Sequence, residues 1–252
     1  MLYQEEIPAW IPDVFEPTLW WITAFLILFL GIFIYTRVKK QEAGKQFMSG
    51  LIVFGLFFGA ARIIENLRKY YIAASRTTII DGWTHHAPLI SGVDLYLRIA
   101  YYVISWIGIA TFYFYTEKYV FQQKYIFTTA SILEATVSIL MYFDFGDVAR
   151  YTLLVLATIG FVVAAIAPVL MYIRMALINP GVLGKTSAMA AVGLGLFAFG
   201  VMVDLPQTAL VIHLVEIIPA NPWYFTLLAP VSAIAGAVIL VIAYTKMFKD
   251  LY

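Results

Sequence analysis

The chain has 252 residues, of which 63% are hydrophobic and only 12% are charged, and its net charge at pH 7 is +1. A soluble domain carries about 25% charged residues because its surface must be solvated, so this composition excludes an ordinary soluble globule. It favours an all-α integral membrane protein whose helices face lipid. The near-neutral charge gives no reason to expect nucleic-acid binding, and the absence of cysteine excludes disulfides and thiolate sites.

The first 16 residues are acidic and interrupted by proline, and they lack the basic start and short apolar core of a secretory signal. The apolar stretch that follows is therefore predicted to be a retained membrane span. Seven such stretches predict one transmembrane domain over 1–252, each crossing as a helix because backbone polar groups cannot be left open in lipid. They lie near 17–36, 47–70, 94–116, 125–143, 149–175, 186–212 and 222–245.

Small residues and prolines inside these stretches predict how the helices pack. Gly55 with Gly59, and Ser232 with Gly236, have the spacing that lets helix backbones approach closely. Pro168 in the fifth stretch should kink its helix and free the carbonyl four residues earlier, and Pro206 should do the same in the sixth.

Lysine and arginine predict the orientation, because basic residues concentrate on the cytoplasmic side. With the N-terminus outside and the C-terminus inside the cell membrane, ten basic residues are cytoplasmic, and four remain outside, Arg68 among them. The ten are Arg37, Lys39, Lys40, Lys45, Lys118, Lys124, Arg174, Lys185, Lys246 and Lys249.

The connection between the second and third stretches is predicted to contain a short external β-hairpin over 77–86. Asp81-Gly82 would form its turn, since both positions of that dipeptide tolerate positive φ.

Seven helices, an external N-terminus and an external hairpin after the second helix together resemble the layout of the microbial rhodopsins. That family carries retinal on a lysine in the middle of its seventh helix. The seventh stretch here has no lysine between Trp223 and Tyr244, and Lys246 and Lys249 lie at its cytoplasmic end. No retinal Schiff base is therefore expected, and the cofactor is left unknown.

Charged residues inside a bilayer are costly, so each is by default a functional-site hypothesis. Most of those found here fall in the predicted outer half of the bundle, whereas the inner half is almost purely apolar. This asymmetry predicts an outward-facing polar pocket for a small or lipid-like ligand, and hence a sensor or binding protein. The predicted lining is Arg62, Glu65, Asp94, Arg98, Tyr101, Tyr102, Glu134 and Asp204.

Three alternatives remain open. The arginines can neutralise the carboxylates in a buried network that only fixes helix pairing. Glu134 and Asp204 can instead carry protons or ions in a transporter. A third alternative is a structural subunit, surrounded by membrane lipids, that packs against copies of itself or a partner membrane protein.

Enzymatic activity has little support in the sequence. No phosphate-binding loop, HExxH or GxSxG motif is present, so we lean toward a protein without catalytic activity. His85, His86 and His213 are weak candidates for metal ligands, and an intramembrane hydrolase would depend on them. His85 and His86 are adjacent and would point to opposite faces of a strand.

Overall fold

The computed structural model describes residues 14–38, 45–72, 92–121, 124–140, 143, 147–204 and 223–251. Within these ranges the chain forms α-helices and no strand. The helices are α1 (Glu16–Val38), α2 (Lys45–Leu67), α3 (Gly92–Thr116), α4 (Ile126–Leu140), α5 (Asp147–Ile178), α6 (Val182–Asp204) and α7 (Trp223–Leu251). Two π-helical turns, Arg68–Ile72 and Glu117–Phe121, extend α2 and α3. The predicted hairpin and Pro206 lie outside the described residues.

Six of the helices, all except α4, are long and apolar enough to cross a membrane. Their outward faces are as apolar as their inward faces: α1 buries Trp20 and Ile27 yet exposes Phe25 and Phe29. A helix that is hydrophobic all round needs an apolar surrounding on its outer side. These helices therefore indicate an integral membrane protein, as the composition predicts.

The fourth helix is shorter than predicted. The sequence predicts a span near 125–143, whereas α4 has 15 described residues and so measures only about 22 Å. The hydrocarbon core of a bilayer is about 30 Å thick. Six crossings are thus supported by length and composition, and the predicted seventh is not.

Consecutive helices pack side by side, and α7 also packs against α1, so that the helices close into a ring. Glycines set the closest contacts. A Cβ on Gly55 of α2 would lie 2.8 Å from Gly31 Cα of α1, and a Cβ on Gly236 of α7 would overlap Phe197 of α6. The predicted role of Gly55 and Gly236 in close helix packing is confirmed.

Contacts between side chains fix the helix directions. Trp106 and Tyr113 of α3 meet Phe161 and Ala164 of α5 in the same order, so these two helices run in the same direction. The Tyr113 ring also stacks on Phe127 at the start of α4, which runs antiparallel to both. We call the two ends of the bundle the Glu16 end, where α1 begins, and the Val38 end, where α1 finishes.

Glu117 fixes the start of α4. Its carboxylate accepts hydrogen bonds from the backbone N–H groups of Phe127 (2.7 Å) and Thr128 (3.0 Å), and from the Thr128 hydroxyl (2.6 Å). The first N–H groups of a helix have no partner within the helix and favour a negative charge. A buried carboxylate from α3 therefore serves as the N-terminal cap of α4.

Candidate functional site

Two arginines and two carboxylates form a buried network at the Glu16 end. Arg68 donates from Nε and Nη2 to the two Glu65 oxygens, each at 2.9 Å, and from Nη1 to Asp94 at 2.8 Å. Arg98 also donates to Glu65. Glu65, Arg68 and Arg98 are at most 6% exposed. Because two positive and two negative groups share these bonds, the network neutralises itself while joining α2 to α3.

Sequence reasoning placed three of these four residues, Glu65, Asp94 and Arg98, in the predicted pocket. The structure brings them together with Arg68. Arg68 was counted among the external basic residues and was left out of the predicted pocket; the structure places its guanidinium in the buried network. Its spacing of three residues from Glu65 was the available signal.

A second link ties α1 to the same end. The Glu16 carboxylate at the start of α1 accepts from Lys69 at 2.6 Å and from the Tyr70 hydroxyl at 2.8 Å. Glu16 is 7% exposed. The start of α1 and the end of α2 are therefore held together by a charge-assisted pair, which is stronger than a neutral hydrogen bond.

The remaining predicted residues at this end are buried among aromatic rings. The Arg62 guanidinium lies 3.7 Å from the centre of the Trp20 ring of α1, a cation–π contact. Tyr101 and Tyr102 pack with Trp106 in the interior, and Arg98 lies over the Tyr102 ring. None of these side chains lines the two cavities described below.

Glu134 lies apart from this network. It is 6% exposed, and Ser138, at 3.4 Å, is its hydrogen-bond partner within the described part of the chain. Its carboxylate occupies the space over Gly160 of α5, where a Cβ would overlap it. The side chain of Asp204 lies outside the described residues, so the predicted grouping of Glu134 with Asp204 stays a prediction.

An apolar cavity of about 70 Å³ lies between α2, α3, α5 and α6. None of the charged residues in the predicted pocket lines it. Its wall consists of aliphatic side chains, Pro168 and six aromatic rings. The rings are Phe54, Phe58, Phe112, Tyr113, Phe161 and Phe197.

Two residues that line this cavity, Tyr113 and Ala164, are joined by a hydrogen bond. Pro168 has no N–H, so the Ala164 carbonyl loses the donor that a helix supplies four residues later. The Tyr113 hydroxyl of α3 donates to that carbonyl instead. The freed carbonyl predicted from Pro168 is thus satisfied by a neighbouring helix, while α5 continues to Ile178.

The Val38 half of the bundle is more polar than predicted. The hydroxyls of Tyr172 and Tyr244 are 2.5 Å apart and buried, and they line a cavity of about 20 Å³ together with Thr186 and Ser187. Glu117 is also buried at this end. The expectation of an almost purely apolar inner half was wrong because tyrosine, which counts as hydrophobic in composition, pairs its hydroxyl inside.

The described residues contain no group of three or more His, Asp or Glu side chains that could hold a metal ion. His85, His86 and His213 lie outside the described ranges, so their weak metal assignment stays untested.

No family model, curated protein or solved structure matches this chain. The rhodopsin-like layout therefore has no support from a solved structure. Lys246 and Lys249 are exposed near the end of α7.

Proposed function

We propose that this protein is a membrane-embedded binding or sensor component for a small, apolar or lipid-like molecule, and that the central cavity is its binding site. The observation that supports this is the unfilled space of about 70 Å³ enclosed by six aromatic rings. Protein interiors are close-packed, with few voids larger than a water molecule. Dry apolar cavities of this kind take up apolar guests such as benzene or xenon.

The cost of the void favours an occupant. Unfilled volume destabilises a fold by about 24 cal/mol per Å³, so a 70 Å³ cavity costs on the order of 1.7 kcal/mol. A guest that restores contacts with the aromatic walls offsets part of that loss. Water is a poor guest, because a buried water needs several polar partners and the bonded Tyr113–Ala164 pair is the polar contact that this apolar wall offers.

The charged network is a weaker candidate for the ligand site than the sequence indicates. Its carboxylates and guanidiniums are bonded to one another, and all except Asp94, which is half-buried, are buried. This arrangement supports the alternative that the network fixes the pairing of α2 with α3. The apolar cavity is therefore a better candidate for the ligand site than the polar residues.

Xenon dissolved in a nanodisc sample tests the proposal, with ¹²⁹Xe NMR as the measurement. Saturable binding is expected for the natural chain and should be abolished by Ala198→Phe, which fills the cavity from α6. Ala188→Phe is the matched control, because Ala188 lies on the same helix and is exposed. Failure of the natural chain to bind xenon saturably would overturn the proposal.

We also propose seven crossings, with the N-terminus outside and the Val38 end in the cytoplasm. Because α3 and α5 run in the same direction and α4 runs opposite to both, a crossing at α4 is the simplest return path. Orientation is supported by basic residues that are all exposed at the Val38 end. They are Arg37, Lys118, Lys124, Arg174, Lys185, Lys246 and Lys249.

The absence of native cysteine allows this topology to be tested by labelling single cysteines. Lys124→Cys and Phe143→Cys flank α4, and both positions are exposed. A membrane-impermeant thiol reagent added outside intact cells should label Phe143→Cys and leave Lys124→Cys unlabelled until the cells are opened. Labelling of both from one side would contradict a seventh crossing.

Proton transfer through Glu134 is the second candidate function. It is favoured by the isolation of this buried carboxyl, whose described hydrogen bond is to Ser138 alone, and by the polar Tyr172–Tyr244 pair in the other half of the bundle. A pH-sensitive dye in liposomes should report proton flux that Glu134→Gln abolishes. Absence of flux from the natural chain would remove this candidate.

A further inference from the structure

The wall of the central cavity contains unused hydrogen-bonding capacity. Ala164 and Tyr113 both line the cavity, and the Tyr113 hydroxyl uses one lone pair of the Ala164 carbonyl. A carbonyl oxygen has two lone pairs, and a phenolic oxygen can accept as well as donate. The bonded pair can therefore accept one more hydrogen bond from a donor inside the cavity.

We propose that the cavity selects small apolar molecules that carry a single hydroxyl, such as short alcohols, over hydrocarbons of the same size. This inference rests on the proposed binding function and deepens it by naming the ligand class. The hydroxyl of the ligand donates to the Tyr113 oxygen or the Ala164 carbonyl, and its apolar body contacts rings such as Phe58 and Phe197.

The rest of the wall limits the ligand to one polar group. The other lining side chains are aliphatic or aromatic, so a second polar group would lose its water without gaining a partner. A hydrocarbon is not strongly rejected, because the Tyr113 hydroxyl and the Ala164 carbonyl already satisfy each other. The expected preference is therefore that of one neutral hydrogen bond, about fivefold in affinity.

Two probes of nearly equal shape isolate this contact. In 2,2,2-trifluoroethanol a hydroxyl replaces the methyl group of 1,1,1-trifluoropropane, and ¹⁹F NMR reports the binding of each to the protein in nanodiscs. Tyr113→Phe leaves the Ala164 carbonyl without its donor, so the hydroxyl of trifluoroethanol should take that place and bind about fivefold more tightly, while trifluoropropane binding should change less than about twofold. Comparing variants for the same probe removes the difference in how the two probes partition into lipid.

Pro168→Ala provides a second, independent variant. It restores an N–H that donates to the Ala164 carbonyl within α5, so the capacity for a ligand hydroxyl falls and trifluoroethanol should lose affinity, the opposite of its response to Tyr113→Phe. Tyr172→Phe is the matched control, because it removes a buried tyrosine hydroxyl that does not line this cavity. It should change neither probe.

The outcomes separate the two proposals. If both probes bind the natural chain but Tyr113→Phe does not raise and Pro168→Ala does not lower trifluoroethanol affinity selectively, the ligand class is wrong and the binding function stands. If neither probe nor xenon binds the natural chain saturably, the binding function fails, and this inference fails with it.

Discussion

The charged network and the central cavity differ in what they do with the interior of the bundle. The network of Glu65, Arg68, Asp94 and Arg98 consists of polar groups that are bonded to one another. The cavity has free space of about 70 Å³ and one hydroxyl in its wall. Both features destabilise the fold on their own. The cost of burying the charges is offset by the ion pairs within the network, whereas the cost of the unfilled volume is offset only by a bound ligand.

In a membrane protein, the buried charged residues and the cavity that could bind a ligand can therefore lie in different places. Charged groups in a bilayer must be paired before they can be tolerated, and complete pairing leaves little capacity for a ligand. Predictions that separate the two regions therefore compare stability with binding.

The largest effect is expected from breaking the network. Arg98→Met removes one of the two arginines bonded to Glu65, and breaking a buried pair costs about 3–5 kcal/mol. The free energy of unfolding in detergent should fall by that amount. Adding Glu65→Gln removes a negative charge together with the positive one and should recover part of the loss, while Lys185→Met, at an exposed position, should change stability by less than about 0.5 kcal/mol.

The same variant tests the division of roles. Xenon binding by folded Arg98→Met protein should match that of the natural chain. A variant that kept its stability but lost binding would show that the network belongs to the ligand site.

A smaller loss of stability is expected where the Glu134 carboxylate contacts the backbone of α5 at Gly160. Gly160→Ala places a methyl group where the Glu134 carboxylate lies, and overpacking of this kind costs about 1–3 kcal/mol. Glu134→Ala in the same chain should relieve the loss. Gly195→Ala is the control, because a Cβ there meets nothing within 4 Å; equal destabilisation by both glycine substitutions would contradict the contact.

The smallest effect should be a gain in stability. Ala198→Val partly fills the cavity and should stabilise the unliganded protein by about 1 kcal/mol, the cost of the volume that it removes. Thermal unfolding in detergent measures this gain, with Ala188→Val as the exposed control. A loss of stability would mean that the walls are already in contact and that no space exists.

Most helix positions could be predicted from the sequence because long apolar runs must be helical in lipid. The first span was predicted at 17–36 and α1 covers Glu16–Val38; the fifth was predicted at 149–175 and α5 covers Asp147–Ile178. The fourth was predicted at 125–143, and within the described residues α4 covers Ile126–Leu140.

The site was less predictable, because partners and voids depend on how helices are arranged. Residue spacing places Glu65 and Arg98 on helix faces, but it does not tell which helix each face meets. The cavity left no signal, since Phe58, Phe161 and Phe197 have the pattern of ordinary core residues. Only Pro168 gave a signal in the sequence. It predicts a free carbonyl four residues earlier, at Ala164, and the Tyr113 hydroxyl donates to that carbonyl.

The cap that Glu117 places on α4 has a consequence for biogenesis. A 15-residue helix that carries Glu134 is a poor insertion signal on its own, because translocon insertion penalises short spans and charged residues. Its first turn becomes satisfied only when α3 is present to supply the Glu117 carboxylate. We therefore expect α3 and α4 to enter the bilayer together as a hairpin, and Glu117→Ala to raise the fraction of nascent chains in which residue 143 stays on the cytoplasmic side.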